Sequence, residues 1–274
     1  MSTPDLPLLL EPEQLQAVLG TPGLLVVDLC KPTTYAQAHV PGAVYLDYAQ
    51  LIAIDKPVMG RLPDSEHLHR TFSALGLTPD THVVAYDDEG GGRAARLLWT
   101  LDAVGHRHAS LLNGGLHAWL NEGHPLEAAA NAATPGDYPT HIVQTPIAGK
   151  EYILEHLGDP GVALLDSRSK EEYSGERKFA QRGGHIPGAV NLDWHLAMDP
   201  DHNHRLQPES VLRDMLNARG VTPDKTVVTY CQTHHRSAFT YFVLKVLGYP
   251  RIKGYPGSWS EWGNDDSTPI EAAS

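Results

Sequence analysis

Val227–Ser237, read as V-V-T-Y-C-Q-T-H-H-R-S, sets one cysteine at the end of a short β-branched run and closes the polar loop that follows with Arg236. The chemistry available to that cysteine is nucleophilic. The apolar run predicts a strand, and Ala238–Leu247 has helical spacing. A strand–loop–helix turn carries its side chain to the carboxyl end of a sheet, where backbone N–H groups and the positive end of the helix converge. A free thiol, with a pKa near ~8.5, is only a few per cent ionised at neutral pH; helix N-termini and cationic neighbours lower such values to ~3.5–7.5. Cys231 is therefore expected to be a reactive thiolate. The competing reading is an inert core cysteine at a strand end, and the cationic flank of His234, His235 and Arg236 weighs against it. Ser237 is expected to cap the following helix.

The 274 residues suit one large domain or two ordinary ones. With 41% apolar and 20% charged residues, the composition is that of a soluble globular protein. A formal charge of −12 excludes a general nucleic-acid or anionic-membrane binder, because phosphate contacts need basic surface. Any anionic substrate must then be attracted locally, by a few arginines and backbone amides. No run approaches the length of a membrane span. Leu6–Leu10 is too short, and lacks the basic flank, to serve as a secretory signal. Cys30 and Cys231 are the only cysteines, which provides no disulfide framework and fits a reducing, cytoplasmic setting.

The elements that must position Cys231 are written twice. Leu24–Asp28 answers Val162–Asp166, Tyr35 answers Tyr173, and H-V-P-G-A-V at His39–Val44 answers H-I-P-G-A-V at His185–Val190. Leu77–Asp80 answers Val221–Asp224, Val83–Tyr86 answers Val227–Tyr230, and Trp119 answers Trp262, in constant order apart from an insertion at Glu176–Gly184. The Ala-, Pro-, Thr- and Gly-rich stretch Leu126–Pro146 reads as an extended linker. The expected organisation is one domain over residues 1–126, a linker over 127–146 and a second domain over 147–274. In each copy, buried strands (Val26–Asp28, Val83–Tyr86, Leu164–Asp166, Val227–Tyr230) alternate with helices (Arg93–Val104, Ala238–Leu247). Such alternation means an α/β fold, each domain a largely parallel sheet flanked by helices, with ligands outside the carboxyl ends of the strands.

Aligning the copies sets Tyr86-Asp87 opposite Tyr230-Cys231, so the first copy carries a carboxylate where the second carries its thiol. Asp87-Asp88-Glu89 would repel an anion. The first copy is expected to be inactive and to shape the second copy's site from across a domain interface; a functional role for the Asp87 carboxylate is the alternative. Cys30 reads as a half-buried structural thiol, Asp28, Asp166, Arg168, His39 and His185 as structural, Trp259 and Trp262 as packing anchors, and His195, His202 and His204 as a solvated loop rather than a metal site.

At this point the residues resemble the two-domain form of the rhodanese family of sulfurtransferases, over nearly the whole chain. The motifs are Tyr35-x3-His39-Val-Pro-Gly-Ala43 with its copy His185-Ile-Pro-Gly-Ala189, Asp166-Ser-Arg168 with Glu172-Tyr173, and Tyr255-Pro-Gly-Ser-Trp-Ser-Glu-Trp262 answering Leu112–Trp119. The resemblance implies two rhodanese-like domains in tandem, the second catalytic. It implies a double displacement in which Cys231 takes the outer sulfur of a donor such as thiosulfate as a persulfide. Cyanide or a thiol then accepts that sulfur, with no metal or organic cofactor. Gln232, Thr233, His234, His235 and Arg236 become the loop that binds the donor and stabilises the persulfide through its N–H groups. The two histidines would add charge below about pH 6.5.

The loop departs from two familiar versions, C-R-K-G-V-T of the mitochondrial thiosulfate type and C-G-S-G-V-T of mercaptopyruvate enzymes; here it is C-Q-T-H-H-R. Pro187 also stands where the mitochondrial type has an arginine. The inserted segment clusters Arg177, Lys178 and Arg182, and offers Arg177 or Arg182 as a second anion contact. Thiosulfate is the expected donor, with mercaptopyruvate the alternative. A module delivering its persulfide to a protein acceptor is the non-enzymatic rival. A cysteine phosphatase is the enzymatic one, although Cys231 to Arg236 is C-x4-R, one residue shorter than the phosphatase C-x5-R.

Overall fold

The computed structural model describes residues 6–272. In chain order the strands are β1 (Leu9–Leu10), β2 (Leu24–Asp28), β3 (Val44–Tyr45), β4 (Ala53–Asp55), β5 (Val58–Arg61), β6 (His82–Tyr86) and β7 (Ala109–Leu112) in the first repeat. The second repeat supplies β8 (Val162–Asp166), β9 (Val190–Asn191), β10 (Met198–Asp199), β11 (Arg205–Leu206), β12 (Thr226–Tyr230) and β13 (Ile252–Gly254). The main sheets are parallel throughout, in the orders β1-β7-β6-β2-β3 and β13-β12-β8-β9. Their central strands, H-V-V-A-Y and T-V-V-T-Y, are buried along nearly their whole length, as parallel strands covered on both faces are. No helix among the described residues is long and apolar enough to cross a membrane.

The chain forms two compact units, and neither is contiguous. One comprises residues 6–51, Pro63–Val143 and Met198–Leu206; the other comprises Ile52–Leu62, Gln144–Ala197 and residues 207–272. The exchanged pieces are the antiparallel hairpins β4–β5 and β10–β11, which occupy equivalent places in the two repeats. The first unit therefore contains a hairpin encoded in the second repeat, and the second unit one encoded in the first. The extended segment 126–143 belongs to the first unit. Its Tyr138 is buried edge-on to Phe72, with rings 5.7 Å apart.

Each unit has its own core, around Val26, Val84, Leu112 and Trp119 in the first and around Leu164, Val228, Tyr255 and Trp262 in the second. The repeated motifs do the same structural work in both. His39 stacks on Tyr35 at 3.9 Å and His185 on Tyr173 at 3.7 Å, each ring nitrogen Nδ1 bonded to the tyrosine's carbonyl. The Tyr86 hydroxyl donates to Asp28 and accepts from Val40 N–H, while the Tyr230 hydroxyl accepts from Ile186 N–H at 3.2 Å. Trp119 and Trp262 each donate their indole N–H to a proline carbonyl, Pro125 and Pro269, at 2.7 Å.

Candidate active site

Cys231 follows β12 directly, at the carboxyl end of the second sheet, and is fully buried. The helix after the loop spans Arg236–Val246, two residues earlier than its apolar spacing predicts. That shift corrects the expected role of Ser237. His235 occupies the N-cap position without a side-chain cap, and Ser237 lies inside the first turn. There its hydroxyl and N–H both reach the Cys231 sulfur, joined by the Thr233 N–H. Burial alone would push the Cys231 thiol up. The Arg236 charge and these three donors outweigh burial and hold the thiol below its ordinary value.

The loop conformation is imposed from outside it. His234 is buried in the left-handed region at φ 54°, and Ser258 adopts φ 49°. A non-glycine residue there costs roughly 1–2 kcal/mol, so surrounding bonds must hold it in place. The Ser258 hydroxyl accepts from Cys231 N–H at 3.3 Å and from His234 N–H at 3.1 Å, and donates to Tyr255 O. Trp259 N–H and Ser260 N–H donate to the carbonyls of Cys231 and Gln232 at 2.9 and 3.0 Å. His234 Nδ1 bonds Ser237 Oγ at 2.8 Å, and the His235 ring lies 5.9 Å from that of Trp194.

Arg236 opens the helix and gives its two terminal nitrogens to Glu172 at 2.6 and 2.8 Å. Glu172 is itself buried in the short helix Lys170–Ser174, where it closes a capping box with Ser169. Burial would raise the Glu172 carboxyl, but Arg236 holds it below the ordinary glutamate value. A cleft of about 310 Å³ opens beside this pair, lined by Glu172, Arg177, Phe179, Gln232 and Arg236. Gln232 Nε2 donates to the Phe179 carbonyl at 3.1 Å, tying the inserted segment to the loop, and the Arg177 guanidinium lies 4.8 Å over the Phe179 ring.

Of the two arginines offered as a second anion contact, Arg177 lines the cleft and Arg182 does not. The Arg182 guanidinium donates to the carbonyls of Trp262, Asp265 and Thr268 and to the Thr268 hydroxyl, clamping the C-terminal segment. Asp166 and Arg168 form a buried ion pair, with Arg168 Nε 2.9 and 3.0 Å from the carboxylate oxygens and its guanidinium 4.5 Å over Trp259. Cys30 is fully buried rather than half-buried, and burial together with Asp28 pushes its thiol far up.

Asp87 occupies the corresponding place in the first repeat. Its carbonyl accepts from Leu116 N–H at 3.0 Å, as the Cys231 carbonyl accepts from Trp259 N–H. The Asp87 carboxyl takes the N–H groups of Glu89, Gly91 and Ala94 at 3.0, 2.8 and 2.9 Å, so these three amides are already spent on a side chain of the loop itself; burial and the neighbouring Glu89 nevertheless push that carboxyl above the ordinary aspartate value. Asp88 and Glu89 both face Arg93, at 3.3 Å each.

Glu172, Ser237 and Ser258 are the site residues that loop reading did not assign. Glu172 was visible only as part of the E-Y element. Nothing in the spacing pairs it with an arginine 64 residues on.

Residues 11–122 and 150–265 each match the rhodanese-like domain. The thiosulfate sulfurtransferase of Azotobacter vinelandii is 47% identical over 267 residues, covering 97% of this chain and 98% of that protein. A protein of the same name from Pseudomonas aeruginosa is 45% identical, with the same coverage. The sulfur carrier protein TtuD of Thermus thermophilus is 37% identical over 249 residues, 86% of each chain. With a thiol cradled at the end of one parallel sheet, a carboxylate at the matching place in the other, and both halves matching one domain, the chain belongs to the rhodanese family as two rhodanese-like domains in tandem.

Proposed function

We propose that this protein is a thiosulfate sulfurtransferase working through a persulfide on Cys231. The observation that carries this reading is the placement of a fully buried thiol directly after β12, where the Arg236 charge and the Ser237 and Thr233 donors favour its thiolate against the cost of burial. Cys231 thiolate attacks the outer sulfur of thiosulfate. The S–S bond of the donor breaks, sulfite departs with the bonding pair, and the outer sulfur remains as the Cys231 persulfide anion. Cyanide or a thiolate then attacks that sulfur, the Cys–S bond to it breaks, and the pair returns to Cys231 as thiolate. The groups that stabilise the resting thiolate serve the persulfide as well, so neither half-reaction must reorganise the site.

Arg236 and Arg177 supply local positive charge against the net charge of −12, and bring the dianionic donor to the cleft. Catalysis belongs to the second repeat alone. In the first, Asp87 is no nucleophile of this kind, and it occupies the amides of Glu89, Gly91 and Ala94. The phosphatase reading loses its support, because the Cys231–Arg236 loop is one residue shorter than the phosphatase loop and relatives 45–47% identical over 97% of this chain are thiosulfate sulfurtransferases. Both cysteines are free of disulfides, and a thiolate catalyst of this type belongs in a reducing compartment, the cytoplasm.

Intact mass of the purified chain tests the reading, before and after thiosulfate and then after cyanide. Addition of one sulfur, removed by cyanide and absent in Cys231→Ala, is the expected result. No addition from thiosulfate but addition from mercaptopyruvate would change the donor. A loaded form that resists cyanide and small thiols, yet discharges to a protein acceptor, would make the chain a carrier. No loading from either donor sinks the mechanism.

A further inference from the structure

We propose that the β4–β5 hairpin, encoded in the first repeat, positions the catalytic loop of the second, with Gly60 as the positioning residue. This extends the Cys231 reading above. Three consecutive residues of β5 engage the site. Met59 N–H donates to Ser260 Oγ at 3.1 Å, and Ser260 N–H in turn donates to the Gln232 carbonyl at 3.0 Å. Arg61 donates to Glu261 at 2.9 Å, and Glu261 also accepts from the Tyr255 hydroxyl at 2.8 Å.

Between them, Gly60 lies with its backbone directly on the Thr233 peptide. A Cβ on Gly60 would stand 2.6 Å from the Thr233 carbonyl carbon and 2.8 Å from its Cα, and closer still to the oxygen. All three atoms are backbone, so no side chain can turn away to make room. Thr233 is the residue whose N–H reaches the Cys231 sulfur, and the next residue, His234, is the one held at a left-handed φ. The hairpin thus bears on the loop at the peptide flanked by a thiolate donor and a strained residue. Displacing it would move the donor without touching Cys231, Arg236 or Arg177.

Gly60→Ala and Gly60→Val in the full-length chain test this, with Arg61→Ala loosening the same hairpin without steric intrusion. The readouts are the pH midpoint of Cys231 alkylation by iodoacetamide, followed by peptide mapping, and the rate of sulfur loading from thiosulfate. Gly60→Val is expected to move the midpoint up and to slow loading at least tenfold, mainly in kcat because the anion-binding arginines stay in place. Gly60→Ala and Arg61→Ala should shift both in the same direction by less. A merely structural role would lower the unfolding midpoint and leave the alkylation midpoint alone. Folded Gly60→Val with unchanged midpoint and loading overturns the proposal; if the glycine variants do not fold, the same result in Arg61→Ala overturns it. Alkylation needs no sulfur donor. A wild-type chain that alkylates readily but never loads sulfur would therefore refute the sulfurtransferase reading, leaving the hairpin's role to be decided by the midpoint.

Discussion

Glu172 accepts from both terminal nitrogens of Arg236, at 2.6 and 2.8 Å, so the cation beside Cys231 is aimed by a buried carboxylate of its own unit before any donor arrives. Arginine suits this task because its fork matches a carboxylate at two points and so fixes direction as well as charge.

Glu172→Gln should destabilise the second unit by about 2–3 kcal/mol in denaturant unfolding. That is below the range of ~3–5 for breaking a fully buried pair, because Arg236 is 21% exposed. The pH dependence follows from the depressed Glu172 carboxyl. A carboxyl lower in the folded than in the unfolded state contributes stability that is complete above its unfolded value, about 4.3, and is lost as pH falls through the folded value. Unfolding curves between pH 7 and 3 should show that loss in the wild type and a flatter profile in Glu172→Gln. Identical profiles would remove the pair from the stability account.

The Cys231 thiol should alkylate with a pH midpoint below that of an ordinary cysteine thiol, while Cys30 stays unmodified in the native protein. Ser237→Ala removes one of the sulfur's donors and should raise the Cys231 midpoint. No change would mean that the Ser237 hydroxyl serves His234 alone.

The three arginines should separate cleanly in steady-state kinetics. Arg236→Ala is expected to raise the thiosulfate KM at least tenfold, about 1.4 kcal/mol of donor binding. Arg177→Ala should raise it several-fold with kcat nearly unchanged, as loss of uniform ground-state and transition-state binding does. Arg182→Ala should leave KM alone and cost about 2–3 kcal/mol of stability, since it strips buried carbonyls of a charged donor. A raised KM for Arg182→Ala alone would move the anion site to the C-terminal segment.

Asp87→Asn should lower the stability of the first unit by roughly 1–3 kcal/mol, because an amide cannot accept all three N–H groups that the carboxylate holds. Sulfur loading at Cys231 should persist in that variant. Lost loading in a folded Asp87→Asn protein would assign the first repeat a chemical role.

The place of the Cys231 thiol was legible from residues alone. An apolar run ending at Cys231 and answered by one ending at Asp87 locates two equivalent sheet ends, and near-continuous burial along a run implies a parallel sheet. The helix start was not legible. Arg236 and Ser237 are polar and look like loop, yet both wind into the first turn because their side chains find partners at Glu172 and at the sulfur. Arg177 and Arg182 look interchangeable in the inserted segment; only the backbone path delivers one to the cleft and the other to a cluster of carbonyls.

By itself the sequence determined the repeat, the α/β class, the thiol and its loop, because periodicity and local motif are properties of neighbouring residues. Tertiary structure decided what holds the loop around the thiol: Glu172 on Arg236, Ser258 on the Cys231 and His234 amides, and Gly60, from a hairpin of the other repeat, on the Thr233 peptide. Such partners are set by how the chain closes on itself. A glycine whose only signal is the space it leaves shows nothing until the peptide that fills that space is in view.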